Sequence, residues 1–191
     1  MQKMRMKIIW VLIAVSTVLA TLLTQETVAY YTALGEATNV VTAGDIGVQI
    51  IEKMGDRDFP KDGVYIMPGQ VVSKKVSVAN TGNHPFWLRV KLTNGIDREA
   101  LDKDMFSLNL NLRDWIDGGD GYYYYNGIVQ PGEVTPMLFS EVHIAGEMDT
   151  DYLGATLRLT VTAYAVQSEH NEADSPLHVQ GWPAESGGDA S

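Results

Sequence analysis

The alternating stretch at residues 86–93, FWLRVKLT, decides the fold of this 191-residue chain. Apolar side chains occupy every second position from Phe86 onward, and mostly polar ones stand between them. Two further stretches repeat the pattern, at residues 106–113 (FSLNLNLR) and 156–165 (TLRLTVTAYA). Because successive side chains of a strand point to opposite faces of a sheet, each stretch predicts a strand with one buried face and one face in water.

Less regular apolar segments predict further strands, at residues 40–52, 72–79, 122–125 and 137–144. Turn-forming pairs separate them, among them Pro68-Gly69, Asn94-Gly95, Asn126-Gly127 and Pro131-Gly132. Residues 97–103 contain good helix formers and predict a short helix. Together these signals predict an all-β domain, a two-sheet antiparallel sandwich of about seven or eight strands. Spacing alone leaves a jelly-roll and an immunoglobulin-like strand order open.

The first 29 residues have the composition of a secretory signal peptide. Basic residues among the first seven precede an apolar run at 8–23, and small residues follow at Thr27 and Ala29. We expect cleavage between Ala29 and Tyr30, a sandwich domain at 30–167 and a disordered polar tail at 168–191. The alternative is a retained anchor, for which the apolar run gives about 24 Å of helix against a hydrocarbon core of about 30 Å.

Charge and cysteine content exclude several classes of function. The chain has 24 acidic and 14 basic residues, a formal net charge of −10, and loss of the leader makes it more acidic still. Such a surface repels phosphate backbones, so we expect no nucleic-acid partner. The sequence has no cysteine, which excludes disulfides, thiolate zinc sites and a cysteine nucleophile. An exported domain without disulfides favours a bacterium with a single membrane.

The sequence contains no recognisable set of catalytic side chains. Its four histidines are scattered, and neither a His-Glu-x-x-His zinc helix nor a Gly-x-Ser-x-Gly nucleophile elbow is present. We therefore expect no enzymatic activity and no cofactor. Asp114, Asp117 and Asp120 recur at every third position and are candidate calcium ligands, since calcium prefers oxygen donors; the alternative is a solvated acidic loop.

Aromatic side chains provide the candidate contact surface. Residues 122–125 are four consecutive tyrosines, so a strand would turn two inward and two outward. We expect Tyr123, Tyr125 and Trp87, which stands on the polar face of its strand, to be candidates for an exposed contact surface. The alternative is a purely structural role, with one tyrosine pair buried and the other at an edge.

Seven segments, taken together, carry a family resemblance. They are TVAYYT (27–32), ATNVVTAGDIGV (37–48), MPGQVVSKKVSVANTG (67–82), FWLRVK (86–91), DGYYYYN (120–126), PGE (131–133) and AYAVQ (163–167). This combination resembles the TasA/camelysin family of secreted biofilm matrix proteins of Gram-positive bacteria, which are exported with a dedicated ER-type signal peptidase. The resemblance covers about residues 8–168.

The resemblance implies a jelly-roll sandwich that is secreted and assembles into extracellular fibres. In that mode the N-terminal segment, with Tyr30, Tyr31, Val40 and Val41, is freed by cleavage and adds a strand to the next copy. Its partners would be further copies, the signal peptidase during export, and other matrix or cell-envelope proteins. Two alternatives remain: a monomeric surface module that binds a glycan or an envelope protein, and a camelysin-like metalloprotease, which the residues do not support.

Overall fold

The computed structural model describes residues 32–43 and 45–185, and most of its regular structure is strand. Two single turns of 3-10 helix, Thr150–Tyr152 and Pro176–His178, are the helical elements of this part of the chain. The strands are β1 (Thr32–Ala43), β2 (Val48–Met54), β3 (Arg57–Asp58), β4 (Val64–Ile66), β5 (Val71–Asn80), β6 (Phe86–Ile96), β7 (Phe106–Leu108), β8 (Trp115–Asp117), β9 (Tyr122–Val129), β10 (Phe139–Ile144) and β11 (Thr156–Gln167). The predicted all-β class is confirmed.

The strands form two sheets that enclose a common core. The first sheet has the order β4-β1-β11-β6-β9-β8, and the second has the order β3-β2-β5-β10-β7. Neighbouring strands are antiparallel except β1 and β11, which run parallel. The predicted two-sheet sandwich is therefore confirmed, whereas the jelly-roll strand order stays a prediction.

The core lies between the sheets and is built from the predicted apolar faces. In β6 the buried side chains are Phe86, Leu88 and Val90, and β11 adds the face that begins with Leu157 and Leu159. The second sheet contributes Val72, Val76, Val78, Val142 and Ile144. Removing an aliphatic or aromatic side chain of this size from water contributes about 1.5–3 kcal/mol, so these alternating strands supply most of the driving force for the sandwich.

Two predicted turns lie inside strands instead. Asn94-Gly95 belongs to β6, which β11 pairs along its full length. Asn126-Gly127 belongs to β9, where the register against β6 shifts between Trp87 and Arg89. Glycine inside a strand often marks such a bulge, so this pair bends a long strand rather than closing a hairpin.

The strand predicted over residues 106–113 is much shorter than its alternation suggests. β7 ends at Leu108, because the side chain of Asn109 then takes over the pairing with β10. Its Oδ1 accepts the N–H groups of Ser140 and Glu141, where β10 is irregular against β5. Phe106, Leu108 and Leu110 still pack against the main core, whereas Leu112 is 58% exposed, so the alternation reports a buried face only as far as Leu110.

Two further sequence predictions are corrected. Residues 97–103 form turns rather than a helix, and their side chains are used in tertiary contacts: Arg98 donates to the carbonyl oxygens of Asp151 and Leu153. The strand predicted over residues 40–52 is divided between β1 and β2, which lie in different sheets. The division falls at the glycine-containing sequence of residues 44–47.

The two Pro-Gly corners are confirmed and share one construction. Gly69 and Gly132 have φ values of 73° and 79°, which side chains disfavour, and each preceding proline fixes the other central angle of the turn. In each corner the side chain of the fourth residue accepts a hydrogen bond from the main-chain N–H of the first. Gln70 accepts from Met67, and Glu133 accepts from Gln130. The first corner leads into β5, and the second leads to Val134, which forms an isolated bridge to Ala79 of β5.

A buried ion pair lies on the inner face of the second sheet. Lys74 is fully buried in β5, and its Nζ lies 2.5 Å from Oε2 of Glu52 in β2. The Phe59 ring covers the ammonium group, whose nitrogen is 3.8 Å from the ring centroid. A buried pair of this kind costs desolvation that an apolar pair would not, but either charge left alone costs more.

We predict opposite outcomes for single and double replacement of this pair. Glu52→Leu leaves an unpaired ammonium group in the core and lowers the free energy of unfolding by about 3–5 kcal/mol. The double variant Glu52→Leu/Lys74→Met is as stable as the parent or more stable by about 1–4 kcal/mol. Denaturant unfolding of both variants provides the measurement, and equal losses in the two would contradict the prediction.

Candidate assembly interface

The first strand of the domain pairs with its last. β1 and β11 are parallel and in register over eleven residue pairs, from Ala33 opposite Thr156 to Ala43 opposite Val166. On its other side β11 pairs with β6, so it is an inner strand of the first sheet only while β1 is present. β1 thus closes an edge of β11 that would otherwise expose a row of unpaired N–H and C=O groups.

β1 itself is covered on its outer edge for a quarter of its length. β4 pairs with residues 32–34, and within the described part of the chain no strand lies beside the outer edge of residues 35–43. The outer edge of β1 is therefore open over most of the strand. An open strand edge of this kind is a template for pairing with another chain.

The beginning of β1 is its anchor. Leu34 is completely buried in the main core, and the Thr32 hydroxyl donates to the Tyr152 carbonyl oxygen at 3.0 Å. Gly63 allows the chain before β4 to approach closely, because a Cβ there would lie 2.2 Å from the carbonyl oxygen of Leu34. Its φ of 76° also favours glycine. Residues 32–34 are therefore fixed by both packing and main-chain pairing.

The end of β1 is attached far less tightly. Thr38, Asn39 and Thr42 are exposed, and Val40 is 44% exposed although it lies opposite the buried Ala163. Val41 is half-buried. This part of β1 therefore depends on backbone hydrogen bonds to β11 and on the partial burial of Val41 and Ala43, without a fully buried side chain.

The predicted donor segment falls partly inside the described residues. Val40 and Val41 lie in β1, so the segment is a strand as predicted, and it is paired within its own chain. Tyr30, Tyr31 and the predicted cleavage bond between Ala29 and Tyr30 lie outside the described residues.

A C-terminal segment crosses the outer face of the first sheet. We call residues 168–185 the strap. It contains no strand, as its composition predicts, but it is packed against the sheet rather than free: Val179 is buried against Trp87 and Val166. Asn171 accepts the indole N–H of Trp87 at 3.0 Å. The predicted disorder of residues 168–191 therefore does not extend over the strap, and residues 186–191 lie outside the described residues.

The strap ends on a cluster of aromatic and basic side chains. The guanidinium carbon of Arg89 lies 3.8 Å from the Tyr122 ring centroid and 4.8 Å from that of Trp182. The rings of Trp182 and Tyr124 are 5.8 Å apart and nearly perpendicular, a favourable arrangement for aromatic pairs. Burial is the main cause that raises the pKa of both Tyr122 and Tyr124 above the ordinary tyrosine value.

Glu185 completes this cluster. It accepts hydrogen bonds from Nζ of Lys91, at 2.7 Å, and from the Tyr122 hydroxyl. The hydrogen bond from Lys91, followed by that from Tyr122, holds the pKa of Glu185 below its usual value. The strap is therefore held by apolar packing at Val179 and Trp182 and by a charged contact at its end.

The predicted aromatic contact surface is corrected by this packing. Trp87 is buried under the strap and is 6% exposed, so it does not offer an exposed anchor. Tyr123 and Tyr125 are half-buried and face inward, where both pack against the main core, and the Tyr125 ring lies 5.5 Å from that of Trp115. The outward pair is instead Tyr122 and Tyr124, which the strap covers.

The three candidate calcium ligands do not converge. Asp114 is bonded to Arg113 and Asn111, and the hydrogen bond from Arg113 is the main reason that its pKa is lowered. Asp117 accepts the Gly119 N–H, and Asp120 accepts the Tyr124 hydroxyl. Among the described residues no three acidic, histidine or cysteine side chains are placed to hold a metal ion.

The strap residues were missed by sequence reasoning for a physical reason. Residues 168–191 are mostly polar, so their average composition predicted a disordered tail although the segment contains Val179 and Trp182. Two large apolar side chains three residues apart are a sign of packing in such a segment. Their partners are Trp87 on β6 and two of the four tyrosines, Tyr122 and Tyr124, on β9, which lie on the outer face of the first sheet.

A comparison of the chain with protein-family models, with curated proteins and with solved structures finds no match in any of the three. Among the described residues, no helix is long and apolar enough to cross a membrane.

We predict that the two ends of β1 differ in their contribution to stability. Leu34→Ala removes a fully buried side chain and costs about 2–5 kcal/mol. Val40→Ala, in the same strand and facing the same side, costs less than about 1 kcal/mol because Val40 is largely solvated. Urea unfolding of the two variants gives the comparison, and similar losses would refute the uneven attachment of β1.

We also predict that acid loosens the end of the strap. Because the pKa of Glu185 is lowered in the folded chain, its contact contributes fully above the usual glutamate range and is lost as the pH falls through the lowered value. Tryptophan emission should therefore show a step below about pH 4.3 that Glu185→Gln lacks. Superimposable titrations of the parent and the variant would count against this contact.

Proposed function

We propose that this chain is a secreted structural protein that assembles into extracellular fibres, without catalytic activity. In the proposed assembly, β1 of one copy leaves its own sheet and pairs with β11 of the next. The observation that carries the proposal is the parallel pairing of β1 with β11, in which the first strand closes the edge of the last.

The edge of β11 is a suitable acceptor for a strand from another copy. A donated β1 can make every contact that the resident one makes, with Leu34 in the same core position and the same main-chain register. No new interface has to be created, because the receiving surface already exists in each copy. This is the logic of domain swapping, in which an element is exchanged between identical chains.

The placement of β1 allows copies of the chain to join head to tail in an open series. Four residues separate β1 from β2, and these strands lie in different sheets, so a change in this short link redirects the whole strand. Each copy then donates one strand and accepts one. A head-to-tail contact of this kind continues indefinitely unless its rotation closes a ring, and fibres result.

Export supplies the proposed control over when β1 becomes available. The predicted signal peptide ends only three residues before β1, so an uncleaved leader would tie the donor strand to the membrane. Cleavage after Ala29 by the export machinery would release it outside the cell. A strongly acidic, cysteine-free sandwich is compatible with a matrix role beside other matrix or cell-envelope proteins.

Single cysteines test the donation directly, because the parent chain has none. Asn39 and Thr162 are paired residues of β1 and β11 on the outward face, and neighbouring strands are close enough for a disulfide. We predict that Asn39→Cys and Thr162→Cys chains, each beginning at residue 30, form a mixed disulfide dimer when they assemble together. Non-reducing electrophoresis and negative-stain microscopy over several days provide the readouts.

A matched pair of variants provides the control. Lys53→Cys and Lys75→Cys are likewise paired, one exposed and one half-buried, but between β2 and β5, which are not exchanged, and should give no dimer in a mixture. The double variant Asn39→Cys/Thr162→Cys, oxidised as a monomer, should form no fibres until it is reduced. Fibres from the oxidised monomer would refute donation of β1, and monomers under all conditions would favour the surface-binding alternative.

A further inference from the structure

The strap packs against the same two clusters of side chains, on the outer face of the first sheet, as the end of β1. Val41 packs against the cluster of Tyr122, Tyr124 and Tyr164, which Trp182 also joins. Ala43 packs against the cluster of Trp87, Val166 and Val179. The outward side chains of the weakly attached end of β1 therefore lie in the same two clusters as the strap.

These contacts are made by side chains on the outer face of the first sheet. β1 places Val41 opposite Tyr164 and Ala43 opposite Val166, so both lie on the face that the strap crosses. The strap reaches that face directly from the end of β11, turning back where the N–H of Ser168 donates to the carbonyl oxygen of Pro85. One continuous segment therefore pairs with β1 along its edge, through β11, and covers the clusters on which Val41 and Ala43 pack, through the strap.

This arrangement acts on the rate of strand exchange. A donated β1 would pack against the same strap-covered clusters in the receiving copy, so these interactions cancel when the resident and donated states are compared. They do not cancel for the intermediate in which β1 is detached. The strap therefore raises the barrier for β1 to leave, for the resident and the donated strand alike.

We propose that the strap is a latch on β1, with Trp182 as the strap residue that packs against both clusters, and that it sets how fast β1 can leave its own sheet. This inference rests on the proposed function for its biological meaning, since the strand that it holds is the strand proposed to be donated. The opening of β1 that it controls is a property of the monomer and can be measured without fibres.

The test is hydrogen–deuterium exchange of the mature chain, residues 30–191, followed in peptides that cover β1. Trp182→Ala removes the ring that packs with Tyr124 and joins the cluster around Val41. Loss of one aromatic pair weakens the strap by roughly three- to tenfold in an opening equilibrium, and because β1 detaches from clusters that the strap covers, amides of residues 38–43 should exchange faster by up to that factor. Exchange in β5 and β10 should stay as in the parent.

Leu177→Ala is the matched control, because Leu177 is an apolar strap residue that is 44% exposed. It should leave exchange of β1 unchanged. Trp182→Phe retains a ring and should lie between the parent and Trp182→Ala, which keeps the test decisive if the alanine variant folds poorly. Unchanged exchange of residues 38–43 in both Trp182 variants, or equal acceleration by Leu177→Ala, would overturn the latch.

The outcomes also separate the latch from the proposed function. Faster exchange of β1 together with faster fibre growth in Trp182→Ala would support both. Faster exchange in a chain that never assembles would support the latch and reject the fibre proposal. Unchanged exchange in a chain that still forms the mixed disulfide dimer would reject the latch alone.

Discussion

The main-chain pairing of β11 is the constraint on which the first sheet depends. β11 is the longest run of alternating apolar residues in the domain, and its inward face is fully buried. Such a strand needs partners on both edges, because unpaired backbone groups next to a core are costly. β6 pairs with one edge of β11 and β1 pairs with the other. The backbone hydrogen bonding of β11 is therefore completed by β1, the first strand of the domain.

The attachment of β1 is divided between two kinds of interaction. Its first residues are fixed by burial of Leu34, whereas its last residues are held by backbone hydrogen bonds and by side chains shared with the strap. Apolar burial is strong and local, and it resists detachment. Backbone pairing along an exposed strand is individually modest, since water competes for each hydrogen bond. A strand attached in this way can open from one end while the rest of the sandwich stays folded.

Sequence reasoning succeeded where structure is set by neighbours in sequence. The faces of β6 and β11 follow from a period of two, and the Pro-Gly corners at Gly69 and Gly132 follow from the angles that these residues allow. Sequence reasoning failed where a segment far away in the sequence determines which strands are adjacent or which side chains are buried. A period of two tells which face is buried but not which strand is adjacent, so the parallel pairing of β1 with β11 was not foreseen. Trp87 was predicted to be exposed to solvent, because the strap that covers it is distant in sequence: Asn171, which accepts its indole N–H, is 84 residues further along the chain.

That long-range closure has a consequence for the newly made chain. The Thr32 hydroxyl bonds to a carbonyl 120 residues further on, and β11 lies beyond even that point. Because a chain is synthesised from its N-terminus, its first strand emerges long before its own partner strand has been made. Contacts of such separation also form slowly, because a long loop must close before any stabilisation is gained. For that interval the end of β1 has no partner strand within its own chain, so the order of synthesis leaves the β1 edge of the first sheet to be completed last.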